Sequence, residues 1–141
     1  KSALYWENLN VIINGPLPLN KKIKLYILSF IKQLGEDEGM ILFLLSLLHS
    51  KPEVIFQSDL LKYLFDNEAF LKQLESEAKL GKIKKVNPEI FYTLILSLVL
   101  FPISIDVVKR NVPSLSKHSI EEELELRTKM ITEMILDYLK K

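Results

Sequence analysis

The side chains capable of acid–base or metal chemistry are few and far apart in this sequence. His49 and His118 are the only imidazoles, and neither has a pair of carboxylates nearby at metal-ligand spacing. The chain has no cysteine, which excludes disulfides, thiolate metal sites and cysteine nucleophiles. Nucleophile-elbow, phosphate-loop and dinucleotide patterns are absent, and four scattered glycines cannot form a loop around a phosphate. We therefore expect no enzyme, no metal site and no cofactor.

Two clusters of carboxylates are explained by helix capping. Residues 36–38 form one acidic cluster and residues 121–123 form the other, and each lies where a helix is predicted to begin. The helix dipole stabilises negative charge at a helix N-terminus. We interpret both clusters as helix starts, with no catalytic role.

The overall charge is nearly balanced, with 19 Lys and Arg against 18 Asp and Glu. No basic block is long enough to neutralise a row of phosphates, which is the electrostatic footprint of most nucleic-acid binders. These residues alone are therefore expected to bind DNA poorly. The length of 141 residues, with 48% hydrophobic and 26% charged side chains, predicts one soluble globular domain.

Glycine and proline separate segments of helical period, which predicts an all-helical domain. A first helix is expected over residues 3–13, and a second after Asn20, which is predicted to be its N-cap. Gly35 should end the second helix, whose apolar stripe should face the core. That stripe comprises Ile23, Tyr26, Ile27, Phe30, Ile31 and Leu34, and the lysines expected in solvent are Lys21, Lys22, Lys24 and Lys32.

The middle of the chain predicts two further helices. Asp37 should cap a third helix that runs to about Ser50, and its apolar segment 40–48 should be buried on most sides. A long helix is expected over residues 53–80, with a break or bend at Asn67 and a stop at the following glycine, Gly81. The inward stripe of the long helix comprises Leu60, Leu64, Leu71, Leu74 and Ala78.

The most apolar stretch of the chain should form the penultimate helix. Asn87 and Pro88 form an N-cap followed by a first-turn proline. Pro102 either ends or kinks this helix, with residues 103–110 as its continuation. Residues 111–118 are expected to form a loop.

A capping box at Ser119 and Glu122 should begin the last helix, which is expected to run to about Leu139. A terminal helix this apolar should pack on more than one neighbour. Its predicted apolar face comprises Ile120, Leu124, Arg127, Ile131, Met134 and Tyr138, widened by Leu126, Met130 and Ile135.

The charge-free run over residues 90–105 raises the alternatives of membrane, core and interface. A membrane span needs about 20 apolar residues, so this run is too short and we expect no membrane partner. A helix that is apolar around its circumference must be covered on all sides, either by its own domain or by a partner. Pairing the last two helices across a two-fold axis would cover both, which favours a homodimer. One face of the run comprises Leu94, Leu98 and Phe101, and the other Phe91, Ile95, Val99 and Pro102.

Three segments in order resemble the C-terminal effector-binding and dimerisation domain of tetracycline-repressor-like (TetR) regulators. They are "KSALYW" at residues 1–6, "GKIKKVNPEIFYTLILSL" at 81–98 and "EEELELRTKMITEMILDYL" at 121–139. The resemblance covers essentially the whole chain. It implies about six antiparallel helices, of which the last two form a four-helix dimer interface and the earlier ones enclose a cavity for a small effector.

The family's helix-turn-helix head, roughly fifty residues, has no counterpart in these residues, so the resemblance implies that it lies upstream of residue 1. Contact with DNA would occur only through that head. An effector would change the separation of two heads that match half-sites about 34–36 Å apart.

The resemblance also implies which side chains act. The candidates for contact with a small hydrophobic effector are Trp6, Tyr26, Phe30, Phe43, Leu47, Tyr63 and Tyr92. The candidates for the dimer interface are Phe91, Ile95, Val99, Pro102, Arg127, Met130, Ile131, Met134 and Tyr138. For each effector candidate, plain core packing is the competing interpretation, because pockets and cores use the same residue types.

The leading hypothesis is the effector-sensing and homodimerising half of a ligand-responsive bacterial transcriptional regulator, which we expect to be a cytoplasmic repressor. A second hypothesis is a freestanding helical interaction module with no small-molecule site. A third and weaker one is a helical enzyme or carrier for a lipid-like molecule.

Overall fold

A computed structural model describes residues 2–47, 49–51, 53, 59–115 and 119–141. All secondary-structure elements in these ranges are helices and none is a strand, so the predicted all-helical class is confirmed. A short 3-10 turn, Pro113–Leu115, links the last two helices. The α-helices are α1 Ser2–Asn14, α2 Leu19–Glu36, α3 Glu38–Leu47, α4 Asp59–Phe65, α5 Glu68–Lys79, α6 Pro88–Asn111 and α7 Ile120–Leu139.

Helix α2 lies at the centre of the fold. It packs against α1, α3, α6 and α7, and it therefore has to bury more than a narrow stripe. All six side chains of its predicted apolar stripe are buried, which confirms that prediction. The regular three- and four-residue spacing of these side chains is what places them on one side of the helix.

The last helix runs antiparallel to both of its main neighbours. Gly35, near the end of α2, approaches Leu124, near the start of α7. The rings of Phe91, at the start of α6, and Tyr138, at the end of α7, stack with centroids 6.3 Å apart. Helices α2 and α6 therefore begin at the end of the molecule where α7 finishes.

Three predicted helix boundaries are confirmed. The Asn87 side chain accepts from the backbone N–H of Ile90 at 3.0 Å, and the Ser119 hydroxyl accepts from that of Glu122 at 3.1 Å. Gly81 has a φ of 77°, in the left-handed region that favours glycine after a helix. These signals are local in sequence, which is why they could be recognised before the fold was known.

The predicted N-cap of α2 is wrong. The helix begins at Leu19 with Pro18 as its N-cap, and the Pro18 carbonyl accepts from the Lys22 backbone N–H at 2.9 Å. Asn20 lies inside the first turn, where its side chain accepts from the N–H of Lys21 at 2.9 Å. The fixed φ of a proline suits the residue that precedes a helix, so the chain enters α2 earlier than predicted.

The predicted role of Gly35 is also wrong. Helix α2 continues to Glu36, and Gly35 lies within its last turn. A Cβ at this position would lie 2.8 Å from Cδ1 of Leu124. The missing side chain therefore allows α7 to approach α2 closely, a requirement that depends on a helix distant in sequence.

The predicted long helix over residues 53–80 is interrupted by Asp66 and Asn67, which separate α4 from α5. The break is one of the two outcomes expected at Asn67. Its cause lies in α1, because the side-chain amides of Asn10 and Asn14 donate to the Asp66 carbonyl at 2.9 and 2.6 Å. Of the predicted inward stripe, Leu64 and Leu74 are buried, Leu71 and Ala78 are partly buried, and the side chain of Leu60 lies outside the described residues.

Helix α3 is less buried than predicted. The Asp37 side chain accepts from the Met40 N–H at 3.3 Å, as expected of a cap. Leu42 and Phe43, however, are exposed, which contradicts burial on most sides. Among the described elements, α3 packs mainly against α2 and α6.

Helix α6 continues through Pro102 to Asn111, so of the two predicted outcomes the end of the helix at this proline is wrong, and a kink there stays a prediction. Residues 103–110 therefore extend the apolar helix instead of forming a separate element. The predicted loop is shortened accordingly, and residues 116–118, including His118, lie outside the described residues.

Lys22 is buried, which contradicts its predicted place in solvent. Only 2% of its surface is exposed, and its Nζ donates to Oε1 of Gln73 in α5 at 2.5 Å. The Gln73 amide donates in turn to the Leu17 carbonyl at 3.1 Å. Burial lowers the pKa of Lys22 below its ordinary value, and the nearby charge of Glu77 opposes this shift. The neighbours of Lys22 lie on α5. The spacing of residues within α2 therefore could not predict that Lys22 is buried.

Lys22 should make the stability of the protein depend on pH. Because the folded state lowers its pKa below 10.5, the unfolded chain binds this proton more tightly, and stability should rise as the pH rises toward 10.5. We expect the free energy of unfolding of the wild-type protein, relative to Lys22→Met, to increase over that range in denaturant titrations. The control is Lys24→Met, at an exposed lysine, and the pH dependence of its free energy of unfolding should match that of the wild type. If the difference in the free energy of unfolding between the wild type and Lys22→Met does not change with pH, Lys22 is not the source of the pH dependence.

Candidate functional site

A buried ion pair joins α6 to α7. The Arg127 guanidinium donates twice to the Asp106 carboxylate, from Nη1 at 3.1 Å and from Nη2 at 2.6 Å. Asp106 is only 3% exposed, and it is the one charged side chain of α6 between Glu89 and Lys109. A two-point contact of this kind fixes the orientation of both side chains. Arg127 was predicted to face a partner subunit, whereas its guanidinium is used within the chain.

Two further contacts align the same helices. Lys109 Nζ lies 3.2 Å from Oε2 of Glu123. At the opposite end, Lys84 Nζ lies 4.5 Å from the centroid of the Tyr138 ring, whose other neighbour is Phe91. Contacts at both ends and near the middle determine which face of each helix points inward.

The inward face of α6 is the one predicted to meet a partner. Phe91, Ile95 and Val99 are buried within the single chain, so they are unavailable to a second copy, and Pro102 is half-buried. Ile131 of α7 is likewise buried in the core. For Phe91, Ile95, Val99 and Ile131 the predicted place on a dimer surface is therefore wrong, whereas for Pro102 it stays a prediction. The two apolar faces differ in their polar residues: the inward face carries Asp106, whereas Thr93 and Ser97 lie exposed on the outward side, where their hydroxyls donate to backbone carbonyls of the helix.

The opposite face of α6 and the neighbouring part of α7 are apolar and exposed. The α6 positions are separated by three, four or seven residues, so they share one side of the helix. They lie next to the side that contacts α7, and the two exposed stripes adjoin. We call this surface the outer apolar face: Ile90, Leu94, Phe101, Ile105 and Val108 of α6, with Leu126, Met130, Met134 and Tyr138 of α7.

Helix α6 is also, within the described ranges, long and apolar enough to cross a membrane by length and composition. Its most apolar window has a mean hydropathy of 2.1, and 39% of that window is buried in the protein. The buried part is the face that packs on α2, α3, α5 and α7.

Four of the predicted effector residues meet in the interior. The rings of Trp6 and Phe30 pack edge to face at 5.7 Å, as do those of Tyr26 and Phe30. Tyr26 and Tyr92 lie 6.4 Å apart and connect α2 to α6. All four side chains are buried and in mutual contact, which is the arrangement of a packed core.

The two tyrosine hydroxyls form a buried hydrogen-bonded chain. The Tyr92 hydroxyl donates to the Leu64 carbonyl, and the Tyr26 and Tyr92 oxygens are 3.0 Å apart. Since Tyr92 has one hydroxyl proton, Tyr26 must donate to Tyr92. Burial raises the pKa of Tyr92 to about 12, and the hydrogen bond from Tyr26 acts in the opposite direction. The Tyr92 hydroxyl is therefore neutral at physiological pH and acts as a donor.

The other predicted effector residues are not part of this cluster. Tyr63 is half-buried and donates to Oε1 of Glu7 at 3.2 Å. Phe43 is exposed on α3. The side chain of Leu47 lies outside the described residues.

An open groove between α2 and α7 was not anticipated from the sequence. It has a volume of about 910 Å³, and Leu28, Ile31 and Leu124 are among its lining residues. A second groove of about 640 Å³ continues toward the C-terminus, and Lys24 and Thr132 line both. None of the predicted aromatic residues lines either groove. The one sequence feature that could have indicated the open groove is Gly35, which lines it and which the sequence predicts as the end of α2.

Comparison with known proteins found no matching family model, no matching curated sequence and no matching solved structure. Membership of the regulator family that the sequence resembles therefore stays a prediction.

The Asp106–Arg127 pair, whose carboxylate side chain is 4% exposed, should contribute more to stability than the Lys109–Glu123 pair, whose carboxylate side chain is 17% exposed. Asp106→Asn leaves the Arg127 guanidinium buried without a counter-charge, and we expect a loss of about 3–5 kcal/mol in the free energy of unfolding. Glu123→Gln breaks the pair with Lys109, which also joins α6 to α7, and should cost about 0–1 kcal/mol. Denaturant titration of both variants measures the difference. Equal losses in the two variants would show that the Asp106 pair does not hold the helices.

Proposed function

We propose that this chain is the homodimerising and effector-sensing half of a bacterial transcriptional regulator, whose DNA-binding head lies upstream of residue 1. The observation that carries the proposal is the outer apolar face, which runs along the antiparallel α6–α7 pair. The regulatory role rests on the resemblance of residues 1–6, 81–98 and 121–139 to the regulator family.

The outer apolar face has the composition of a surface that is covered in the working protein. No charged side chain interrupts it along α6 from Ile90 to Val108, because Asp106 points inward. Soluble monomers rarely expose continuous apolar patches of this kind. Two such faces related by a two-fold axis would cover each other and form a four-helix arrangement.

Tyr26 and Tyr92 support the sensing part of the proposal. They join α2, at the centre of the fold, to α6, which carries the outer apolar face. A small molecule that separates or replaces this hydrogen-bonded pair would act directly on a helix of the dimer surface. A ligand needs only different affinities for two arrangements of the helices, and such coupling is typically worth about 1–3 kcal/mol.

The packed state of the aromatic cluster favours the second candidate, a helical dimerisation module with no small-molecule site. In the described part of the chain these rings fill the space between α1, α2 and α6. The two candidates share the dimer and differ only in the effector and the head. The coding sequence upstream of Lys1 separates them, because the regulator requires a helix-turn-helix segment there.

A charge on the outer apolar face should dissociate the dimer. We expect Phe101→Glu, at a side chain that is 66% exposed, to raise the dimer dissociation constant at least about thirtyfold, because it places an unpaired carboxylate in an apolar interface. Sedimentation equilibrium at micromolar protein concentration gives the mass. Val11→Glu, on α1 and 68% exposed, is the matched control and should remain dimeric. A wild-type protein of monomer mass, or equal effects of the two substitutions, would overturn the proposed dimer.

An effector should raise the melting temperature, and the tyrosine pair should determine how strongly. In a thermal-shift screen of small hydrophobic compounds, a ligand at a hundredfold excess over its Kd adds about 2.7 kcal/mol, or several degrees. We expect a Tyr26→Phe variant, which keeps the ring and removes the hydroxyl, to bind such a compound more weakly. Leu28→Ala, in the open groove, should bind it as the wild type does. Weaker binding by Leu28→Ala and unchanged binding by Tyr26→Phe would place the effector in the groove between α2 and α7. A screen in which no compound raises the melting temperature would favour the dimerisation module with no small-molecule site.

A further inference from the structure

The tertiary structure gathers lysines at one end of a chain whose overall charge is nearly balanced. They come from the start of α2, the end of α5, the segment before α6 and the C-terminus, which are far apart in sequence. We call this set the basic end: Lys21, Lys24, Lys79, Lys82, Lys84, Lys85, Lys140 and Lys141.

Specific contacts hold these segments together. The Lys84 N–H donates to the Leu139 carbonyl at 2.9 Å, which fixes the segment before α6 against the end of α7. Lys141 Nζ lies 3.5 Å from the position that a Cβ on Gly81 would occupy. Lys24 and Lys82 line the same groove as Lys140. These contacts bring Lys24, Lys82, Lys84, Lys140 and Lys141 into one region, and Lys21, Lys79 and Lys85 are exposed within one helical turn of them or beside them in the chain.

The carboxylates of this region do not neutralise it. Five acidic residues line the same groove as these lysines or lie within one helical turn of them: Glu75, Glu77, Glu89, Glu133 and Asp137. Asp137 pairs with Lys140 at 2.9 Å, and Glu77 lies close enough to the buried Lys22 to raise its pKa. The acidic clusters at residues 36–38 and 121–123 lie at the other end of α2 and α7. The molecule is thus electrically polarised along its helices, although its formal net charge is only +1.

Exposed apolar side chains lie among these lysines. Leu80 is 67% exposed, between Lys79 and Lys82 at the tight turn after α5. Ile90 is exposed in the first turn of α6. Ile90 also belongs to the outer apolar face, whereas Leu80 lies outside that face and leaves its apolar side chain in water, an unfavourable environment.

We propose that the basic end adsorbs to an anionic lipid surface, with the lysines at the headgroups and Leu80 at the apolar boundary. A lysine near an anionic bilayer increases binding about fivefold, and clusters of four to eight basic residues beside an apolar helix are typical of such sites. This is adsorption of a folded end and does not require α6 to cross the membrane. It differs from the expectation, based on segment length alone, that the protein has no membrane partner.

The chemistry of the basic end favours lipid over nucleic acid. All its cations are lysines, whereas both arginines of the chain, Arg110 and Arg127, lie toward the other end. A phosphate backbone would leave Leu80 in water, whereas a bilayer boundary would bury it.

Vesicle sedimentation of the full chain tests the proposal. We expect binding to phosphatidylcholine vesicles that contain phosphatidylserine, none to phosphatidylcholine alone, and a loss of binding as salt shortens the screening length. Replacing Lys82, Lys85 and Lys141 together by Gln should weaken binding about a hundredfold. Leu80→Ser should weaken it further at constant charge, by about tenfold.

The control carries the same change of net charge at other places. Lys32, Lys72 and Lys129 are exposed and lie outside the basic end, so replacing all three by Gln should leave most of the binding intact. Equal losses in the two triple variants would show that net charge alone is responsible. Equal binding to neutral vesicles would assign adsorption to the outer apolar face. Tighter retention on duplex DNA than on anionic vesicles, abolished by the same basic-end variant, would make nucleic acid the partner. Each of these three results would overturn the proposal.

Discussion

The ion pair between Asp106 and Arg127 is the constraint on which the division of α6 into an inward and an outward face depends. A carboxylate on an otherwise apolar helix can be buried only if a cation with matching geometry is buried with it. The pair therefore fixes both the rotation of α6 and its alignment with α7. Once Asp106 points inward, Phe91, Ile95 and Val99 must also point inward, because they lie on the same side of the helix.

The same constraint determines the outer surface. With one apolar face of α6 used by the core, the other is left beside the exposed methionines and Tyr138 of α7. A helix that composition alone would allow to cross a membrane is thereby divided into a core face and an exposed face. The proposed dimer needs this division, since a two-fold interface requires one surface that is rigid and already formed. The hydrogen-bonded pair of Tyr26 and Tyr92 connects that surface to the central helix.

Charge is organised on a larger scale than these pair contacts. Antiparallel packing brings the starts of α2 and α6 to the end where α5 and α7 finish, and the lysines of those segments meet there. Repulsion among them is tolerated because their ammonium groups are hydrated and screened at the surface. Lys22 is the exception, since it is buried next to Gln73 and has lost most of its hydration.

The sequence by itself determined what depends on neighbours within one or two turns. The stripe of α2, the caps at Asn87 and Ser119 and the stop at Gly81 were predicted correctly, because periodicity and backbone hydrogen bonding are local. Three features were decided only by the tertiary structure. They are the choice of which apolar face of α6 is buried, the need for a glycine at position 35, and the place where the lysines gather. These features depend on contacts between side chains that are distant in sequence. Such contacts contribute to the free energy of folding only after the helices have packed together.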